Sequence, residues 1–206
     1  MMIKLFAHPS QSVLKVQIAM EEMDLAYTFV NDRTLVEGTA DYEQFYKASP
    51  TGQVPAIFDP DTGAALFESS AIMMYFAEKT GRFLPPPSQP GRRAEVIKWL
   101  MFEAASLTPA MLEIYHYTLQ AENDHPYAAE RARTNARRAL LALQGALGIP
   151  GRDYLAGEYS IADMIVYPWL PILEEFTDIP PSDYPRLEAW AARVGARDAV
   201  KRAEGK

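Results

Sequence analysis

The stretch SPTGQVPAIFDPDTGAALFESSAIMMYFAEK, residues 49–79, decides the fold of the first part of the chain. Within it, residues 56–59 and 64–67 have the composition of two short strands. The Pro, Asp and Gly residues between them predict an antiparallel hairpin. The pair Val54-Pro55 stands directly before the first of these strands, so the hairpin is entered through a proline.

Alternating strand and helix signals surround this hairpin. In chain order they are a strand at 3–7, a helix from Ser10 or Ser12 to Met23, a strand at 27–30, a helix at 41–48, the hairpin, and a helix from Ser69 or Ser70 to Lys79 that Gly81 ends. This order predicts a mixed sheet with helices on both faces.

A proline-rich segment, PPPSQPG at 85–91, marks the clearest boundary, because a proline run is extended and interrupts a helix. Beyond it, helical periodicity dominates, at 92–120, 128–147, 160–176 and 185–200. We therefore predict an α/β domain at 1–84, a linker at 85–91 and an all-α domain at 92–206. Near the middle of the latter, Ser160 and Asp163 have the spacing of a capping box, which indicates a structural role.

Composition excludes several classes of function. The net charge of −7 argues against general nucleic-acid binding, and an anionic ligand would need local donors. The chain has no cysteine, and its three histidines share no ligand spacing, so we expect neither disulfides nor a metal site. Without an apolar run of about 20 residues or a secretory start, we expect a cytoplasmic protein without a membrane span.

Val54-Pro55 has two interpretations. A proline at the start of a strand is often simple punctuation. Alternatively, a cis bond would turn the chain sharply and leave the N–H and C=O groups of Val54 facing outward. Those groups would then pair with a bound peptide as one more antiparallel strand.

The segment Glu68-Ser69 lies between a strand and a helix. A serine here, Ser69 or Ser70, caps the helix in the simpler interpretation. In the functional one, the helix start holds a carboxylate through its free amides and Ser69, while Glu68 binds the neighbouring ammonium. That arrangement is a receptor for a free amino-acid head group.

Ser10 and Ser12 lie where the first strand passes into the first helix. Helix capping again explains one serine. The functional alternative places a hydroxyl and helix amides beside a ligand's thiol, where they stabilise the thiolate and make the sulfur nucleophilic.

Three runs, at 49–57, 66–77 and 154–163, together resemble the glutathione transferase superfamily, and the resemblance covers essentially the whole chain. It implies an N-terminal thioredoxin-like domain, a C-terminal helical bundle domain, a cis bond at Pro55 and a structural capping box at Ser160 and Asp163. Glutathione would be the co-substrate, and no metal would be needed.

The resemblance also implies roles for individual residues at the glutathione site. Val54 would pair by its backbone with the cysteinyl part, and Gln53 would line the glycyl side. Glu68 and Ser69 would bind the γ-glutamyl end.

The activating group is open between Ser12, which fits serine-type bacterial and plant classes, and Ser10, which fits the Nu-like group. Tyrosine-type chemistry is not expected, since Phe6 stands where such members have their phenol. In the helical domain, Met111, Tyr115 and His116 would line a pocket for the electrophile, unless they are ordinary packing residues.

We thus expect a homodimeric detoxification enzyme of the glutathione S-transferase type, which transfers glutathione thiolate to a small hydrophobic electrophile. One alternative is glutathione-dependent reduction of disulfides or peroxides. Because the chain lacks cysteine, two glutathiones would have to do that work. Another is a glutathione-transferase-like binding module without catalysis.

Overall fold

The computed structural model describes residues 2–205 of the chain, and of Phe176 only the backbone. Its internal contacts divide the chain into two units. The first, called the sheet unit here, contains the residues up to Leu84 together with those from Arg197 onward. The second, the helical unit, is Pro85–Ala196.

Within the described residues, the sheet unit has one four-stranded sheet in the order β2-β1-β3-β4. The strands are β1 Ile3–Ala7, β2 Tyr27–Asn31, β3 Ala56–Asp59 and β4 Ala64–Phe67. β1 runs parallel to β2 and antiparallel to β3, and β3 and β4 form the hairpin. The predicted mixed sheet is confirmed.

Helices of this unit are α1 Gln11–Glu22, α2 Ala40–Ala48 and α3 Ser69–Thr80. α2 packs on β3 and β4, and the ring of its Phe45 lies 5.5 Å from that of Phe6 in β1. α1 packs against α3. Gly81, at a φ of 68°, ends α3 in the left-handed conformation that glycine adopts readily.

The C-terminal segment belongs to the sheet unit. From the sequence it is predicted to be part of the helical domain. α10, Asp198–Glu204, packs along α1. Just before it, Arg197 forms a bidentate pair with the buried Glu22 at 2.5 and 2.9 Å, and Arg202 contacts Glu21 at 2.9 Å. These contacts join residues about 175–181 positions apart, a pairing that helical periodicity alone does not reveal.

The helical unit contains α4 Pro90–Phe102, α5 Thr108–Tyr115, α6 Pro126–Ala146, α7 Ile161–Val166, α8 Leu173–Thr177 and α9 Pro185–Gly195. Two π-helical segments, Glu103–Leu107 and His116–Gln120, continue α4 into α5 and extend α5. The single helix predicted at 160–176 is interrupted after α7, where Pro168 and Pro171 have no N–H to donate.

The capping box suggested by the sequence is present at the start of α7. Asp163 accepts hydrogen bonds from the backbone N–H groups of Ser160 at 3.0 Å and Leu155 at 2.9 Å, and from the indole of Trp190 at 2.8 Å. Its burial raises the pKa of the Asp163 carboxyl to about 6, although these hydrogen bonds act in the opposite direction. The box therefore holds together the middle of the helical unit.

No helix within residues 2–205 combines the length and the apolar character that a membrane span requires.

Candidate functional site

The loop before β3 holds Val54 in a defined position. The Val54–Pro55 peptide bond is cis. Ser49, fully buried at the end of α2, donates its hydroxyl to the carbonyl of Gln53 at 2.8 Å and accepts from the Gln53 N–H at 3.1 Å. Val54 is half-buried and packs on the cluster around Phe6, while Gln53 is exposed. Ser49 closes this loop, a role that is not predicted from the sequence.

The start of α3 differs from the expected cap. Glu68, not a serine, occupies the N-cap position, and its side chain makes no capping hydrogen bond. Ser69 is the first helical residue and is partly exposed. Glu68 has a φ of 68°, a left-handed conformation that is uncommon outside glycine and is found disproportionately at ligand sites.

A polar cluster around the buried Asp59 fixes α3 to the hairpin. The Asp59 carboxylate, at the end of β3, accepts from the hydroxyl of Tyr75 at 2.6 Å and forms an ion pair with Lys79. Burial alone would raise the pKa of Asp59, but hydrogen bonds from Lys79 and Tyr75 lower it overall. These contacts hold Glu68 and Ser69 in position relative to β3. Sequence reasoning missed them, although Tyr75 and Lys79 have the (i, i+4) spacing of one helix face.

Ser10 and Ser12 both lie at the start of α1. Ser10 is its N-cap, and its hydroxyl oxygen accepts from the N–H of Val13 at 3.3 Å. The hydroxyl hydrogen of Ser10 is still available as a donor. Ser12 lies in the first turn and is half-buried. Phe6 is fully buried in the core beneath this end of the sheet.

The register of the strands brings these segments to the same end of the sheet. Ala56 at the start of β3 lies opposite Phe67 at the end of β4, so the next residues outward are Val54-Pro55 and Glu68-Ser69. β1, on the other side of β3, is antiparallel to it, so β1 ends where β3 begins, at the same end of the sheet. The segment 8–12, with Ser10 at the N-cap and Ser12 in the first turn of α1, therefore begins beside the Val-Pro element.

This end of the sheet has the chemistry expected for a peptide-like ligand with a free amino-acid head group. Backbone groups of Val54 can pair with an extended chain, and a carboxylate and a helix start can take opposite charges of the head group. Among the described residues, His, Asp and Glu side chains form no group of three or more that could hold a metal ion.

The residues suggested for an electrophile pocket lie in the helical unit. Met111 is 1% exposed and belongs to the core of this unit, whereas Tyr115 is half-buried and His116 is exposed. His116 begins the second π-helical segment, where its ring packs edge-on against that of Tyr117 at 5.0 Å.

Models of known protein families match both parts of the chain. The glutathione S-transferase N-terminal domain matches residues 1–78, and the C-terminal domain of the same family matches residues 104–198.

Individual proteins are similar over nearly the full length. The disulfide-bond oxidoreductase YfcG of Escherichia coli (strain K12) is 33% identical over 209 residues, covering 98% of this chain and 94% of that protein. A glutathione transferase family member from Pseudomonas fluorescens pf-5, with two glutathione bound, has a TM-score of 0.85 at 33% identity, covering 98% of this chain and 92% of that one. A glutathione transferase from Pseudomonas putida, with one glutathione disulfide bound per subunit, has a TM-score of 0.83 at 29% identity, with coverage of 98% and 90%.

Proposed function

Because the chain belongs to the glutathione S-transferase family, we propose that it binds glutathione at this end of its sheet and uses it to reduce disulfide bonds. The observation that carries the binding proposal is the sheet register, which makes the Val54-Pro55 and Glu68-Ser69 pairs neighbours. The redox proposal rests on the relatives, one named a disulfide-bond oxidoreductase and one crystallised with glutathione disulfide.

In the proposed complex, the backbone of Val54 pairs with the cysteinyl residue of glutathione, and Gln53 lines the glycyl side. The γ-glutamyl end places its ammonium on Glu68 and its carboxylate on Ser69 and the first amides of α3. The chain's net charge of −7 repels an anion, so these local donors are what make the site attractive to the carboxylate.

The sulfur of the bound glutathione lies near the start of α1 in this proposal. A hydroxyl of Ser10 or Ser12, together with the helix amides, stabilises the thiolate over the thiol. Ser10 already accepts a capping bond, but its hydrogen can be donated to a sulfur.

Disulfide reduction then needs two glutathiones, because the chain has no cysteine of its own. The first thiolate attacks one sulfur of the substrate and expels the other as a thiolate, which leaves a mixed disulfide with glutathione. The second thiolate attacks the glutathione sulfur of this intermediate and expels the remaining substrate thiolate. Overall, two glutathiones and one disulfide give glutathione disulfide and two thiols.

Conjugation to a hydrophobic electrophile is the second candidate, because the same thiolate can attack carbon. Apolar side chains exposed along α5 and its extension favour it: Leu112 is 53% and Leu119 64% exposed. Tyr115 and His116 are the pocket residues proposed for this reaction, and Met111, which is 1% exposed, would support them from the core. From the family we also propose a cytoplasmic homodimer.

Turnover of two substrates distinguishes these functions. With glutathione in excess, kcat/KM is measured for bis(2-hydroxyethyl) disulfide and for 1-chloro-2,4-dinitrobenzene. The reductase proposal predicts the larger value for the disulfide. A larger value for the aromatic halide would instead make conjugation the main activity.

Alanine variants of the two serines identify the activating group. Loss of a hydrogen bond to a thiolate costs about 1.5–3 kcal/mol, so Ser10→Ala or Ser12→Ala should slow turnover about 10–100-fold and raise the thiol pKa of bound glutathione. The other variant should stay within about threefold. Ser10→Thr, which keeps both hydroxyl and cap, is the control for lost capping. If neither alanine variant slows turnover, hydroxyl activation is wrong and the α1 amides are the stabilising groups.

A further inference from the structure

His8 directly follows β1 at this end of the sheet. The reaction proposed above gives it no role. β1 and β2 pair in parallel with Ala7 opposite Asn31, and one more residue places His8 beside Asp32. On the other side, β1 and β3 pair with Phe6 opposite Ala56. The cis Val54–Pro55 bond directly precedes β3, so His8 and this bond lie at the same end of the sheet.

The contact between His8 and Asp32 is a close one. Nδ1 of the imidazole lies 3.0 and 3.2 Å from the two carboxylate oxygens. The Asp32 side chain is 12% exposed and that of His8 is 26% exposed. Since a carboxylate only accepts, Nδ1 carries the proton of this hydrogen bond, and Nε2 is the ring nitrogen left for a ligand.

Neighbouring residues locate the ring. Side chains alternate along a strand, so His8 continues the row of Lys4 and Phe6 on the face of the sheet that α2 covers. Lys4 is engaged by Asp41 of α2 at 2.6 Å, and Phe6 packs on Phe45. Val54 packs on the same cluster as Phe6. His8 thus follows this row at the end of the sheet where Val54, the residue proposed to hold the cysteinyl part of glutathione, packs on the Phe6 cluster.

We propose that His8, oriented by Asp32, carries the proton between the glutathione thiol and the departing thiolate of the substrate. This role rests on the disulfide reductase function proposed above. An imidazole held at Nδ1 by a carboxylate is suited to it, because the hydrogen bond orients the ring and leaves Nε2 as the nitrogen that accepts and returns the proton.

The proton balance closes at each step. When the first glutathione becomes a thiolate, Nε2 of His8 takes its proton. The thiolate forms a new S–S bond, the substrate S–S bond breaks, and its electron pair leaves on the departing sulfur, which receives the proton from His8. The second glutathione repeats the cycle on the mixed disulfide, so two thiol protons end on the two product thiols.

Dependence on the leaving thiol tests this role specifically. A weakly acidic leaving thiol needs the proton, whereas a strongly acidic one departs as a stable thiolate. For His8→Asn, whose amide can still donate to Asp32, kcat/KM with bis(2-hydroxyethyl) disulfide should fall about 100-fold. With 5,5′-dithiobis(2-nitrobenzoate), corrected for the uncatalysed reaction, only proton uptake from glutathione is lost, because the leaving thiolate needs no proton, so kcat/KM should fall by a smaller factor of about 10. Asp32→Asn should show the same selectivity with a smaller loss, and it serves if His8→Asn does not fold.

The outcomes separate this role from the function on which it rests. His125→Asn, an exposed histidine before α6, is the matched control and should leave both rates unchanged. An equal loss with both disulfides, or no loss with the first, would overturn the proton-carrier role alone. Absence of any disulfide turnover by the unaltered protein would overturn both the role and the reductase function.

Discussion

Two helix starts in this chain each combine a serine with an acidic residue, yet they are built in opposite ways. At α7, Ser160 and Asp163 satisfy the helix amides from within the protein, and Asp163 is fully buried. At α3, Glu68 is exposed in a left-handed conformation, and no capping bond comes from its side chain. The start of α7 is capped by its own side chains, whereas the start of α3 has no side-chain cap from Glu68 and faces solvent.

Because of this difference, we expect similar residues to have different roles. A carboxylate that accepts from two backbone amides, a serine hydroxyl and an indole is a structural element, and losing it leaves those donors unsatisfied. A carboxylate that caps nothing and sits beside an open helix start contributes little to folding and is suited to a ligand. Stability and binding should therefore respond separately to changes at the two places.

The largest effect is expected for Asp163→Ala. This change removes the acceptor of the Leu155 and Ser160 amides and of the Trp190 indole, so the free energy of unfolding should fall by about 4 kcal/mol. Urea denaturation followed by circular dichroism measures it. Asp153→Ala, at an ion pair where the aspartate side chain is 74% exposed, is the matched control and should change stability by less than about 0.5 kcal/mol. Similar losses of unfolding free energy in both variants would contradict the structural role given to Asp163.

A pH series sharpens the same contrast. Burial raises the pKa of Asp163 from 3.8 to about 6, so between these values the folded state holds a proton that the unfolded state has released. Stability from this group is therefore greatest at acid pH and declines by roughly 3 kcal/mol as pH rises from about 4 to 6. Asp163→Asn should lack that decline, and subtracting its unfolding profile isolates it. Parallel profiles for the two proteins would contradict the assignment.

Much of the sheet unit could be predicted from the sequence, because its signals are local. The hairpin at 56–67 has turn residues between short strands, and the helix after it ends at Gly81. The capping box at Ser160 and Asp163 is a spacing rule within four residues. In each case the residues that determine the structure are close together in the sequence.

What could not be predicted depends on distant contacts or on backbone conformation. α10 joins the sheet unit through Arg197 and Glu22, which are far apart in sequence. The left-handed Glu68 at the N-cap displaced the expected serine cap, because the backbone conformation there, not serine propensity, decides which residue precedes the helix. The His8–Asp32 pair emerges only once the parallel register of β1 and β2 is known.

The central claim, that the open start of α3 is a ligand site, is tested most directly by titrating glutathione into Glu68→Gln in a calorimeter. Loss of the ion pair with the γ-glutamyl ammonium should weaken binding about 10–100-fold, while the free energy of unfolding stays within about 0.5 kcal/mol of the unaltered protein. Glu43→Gln, an exposed acid on α2, is the matched control and should bind normally. Unchanged glutathione affinity in Glu68→Gln would contradict the account.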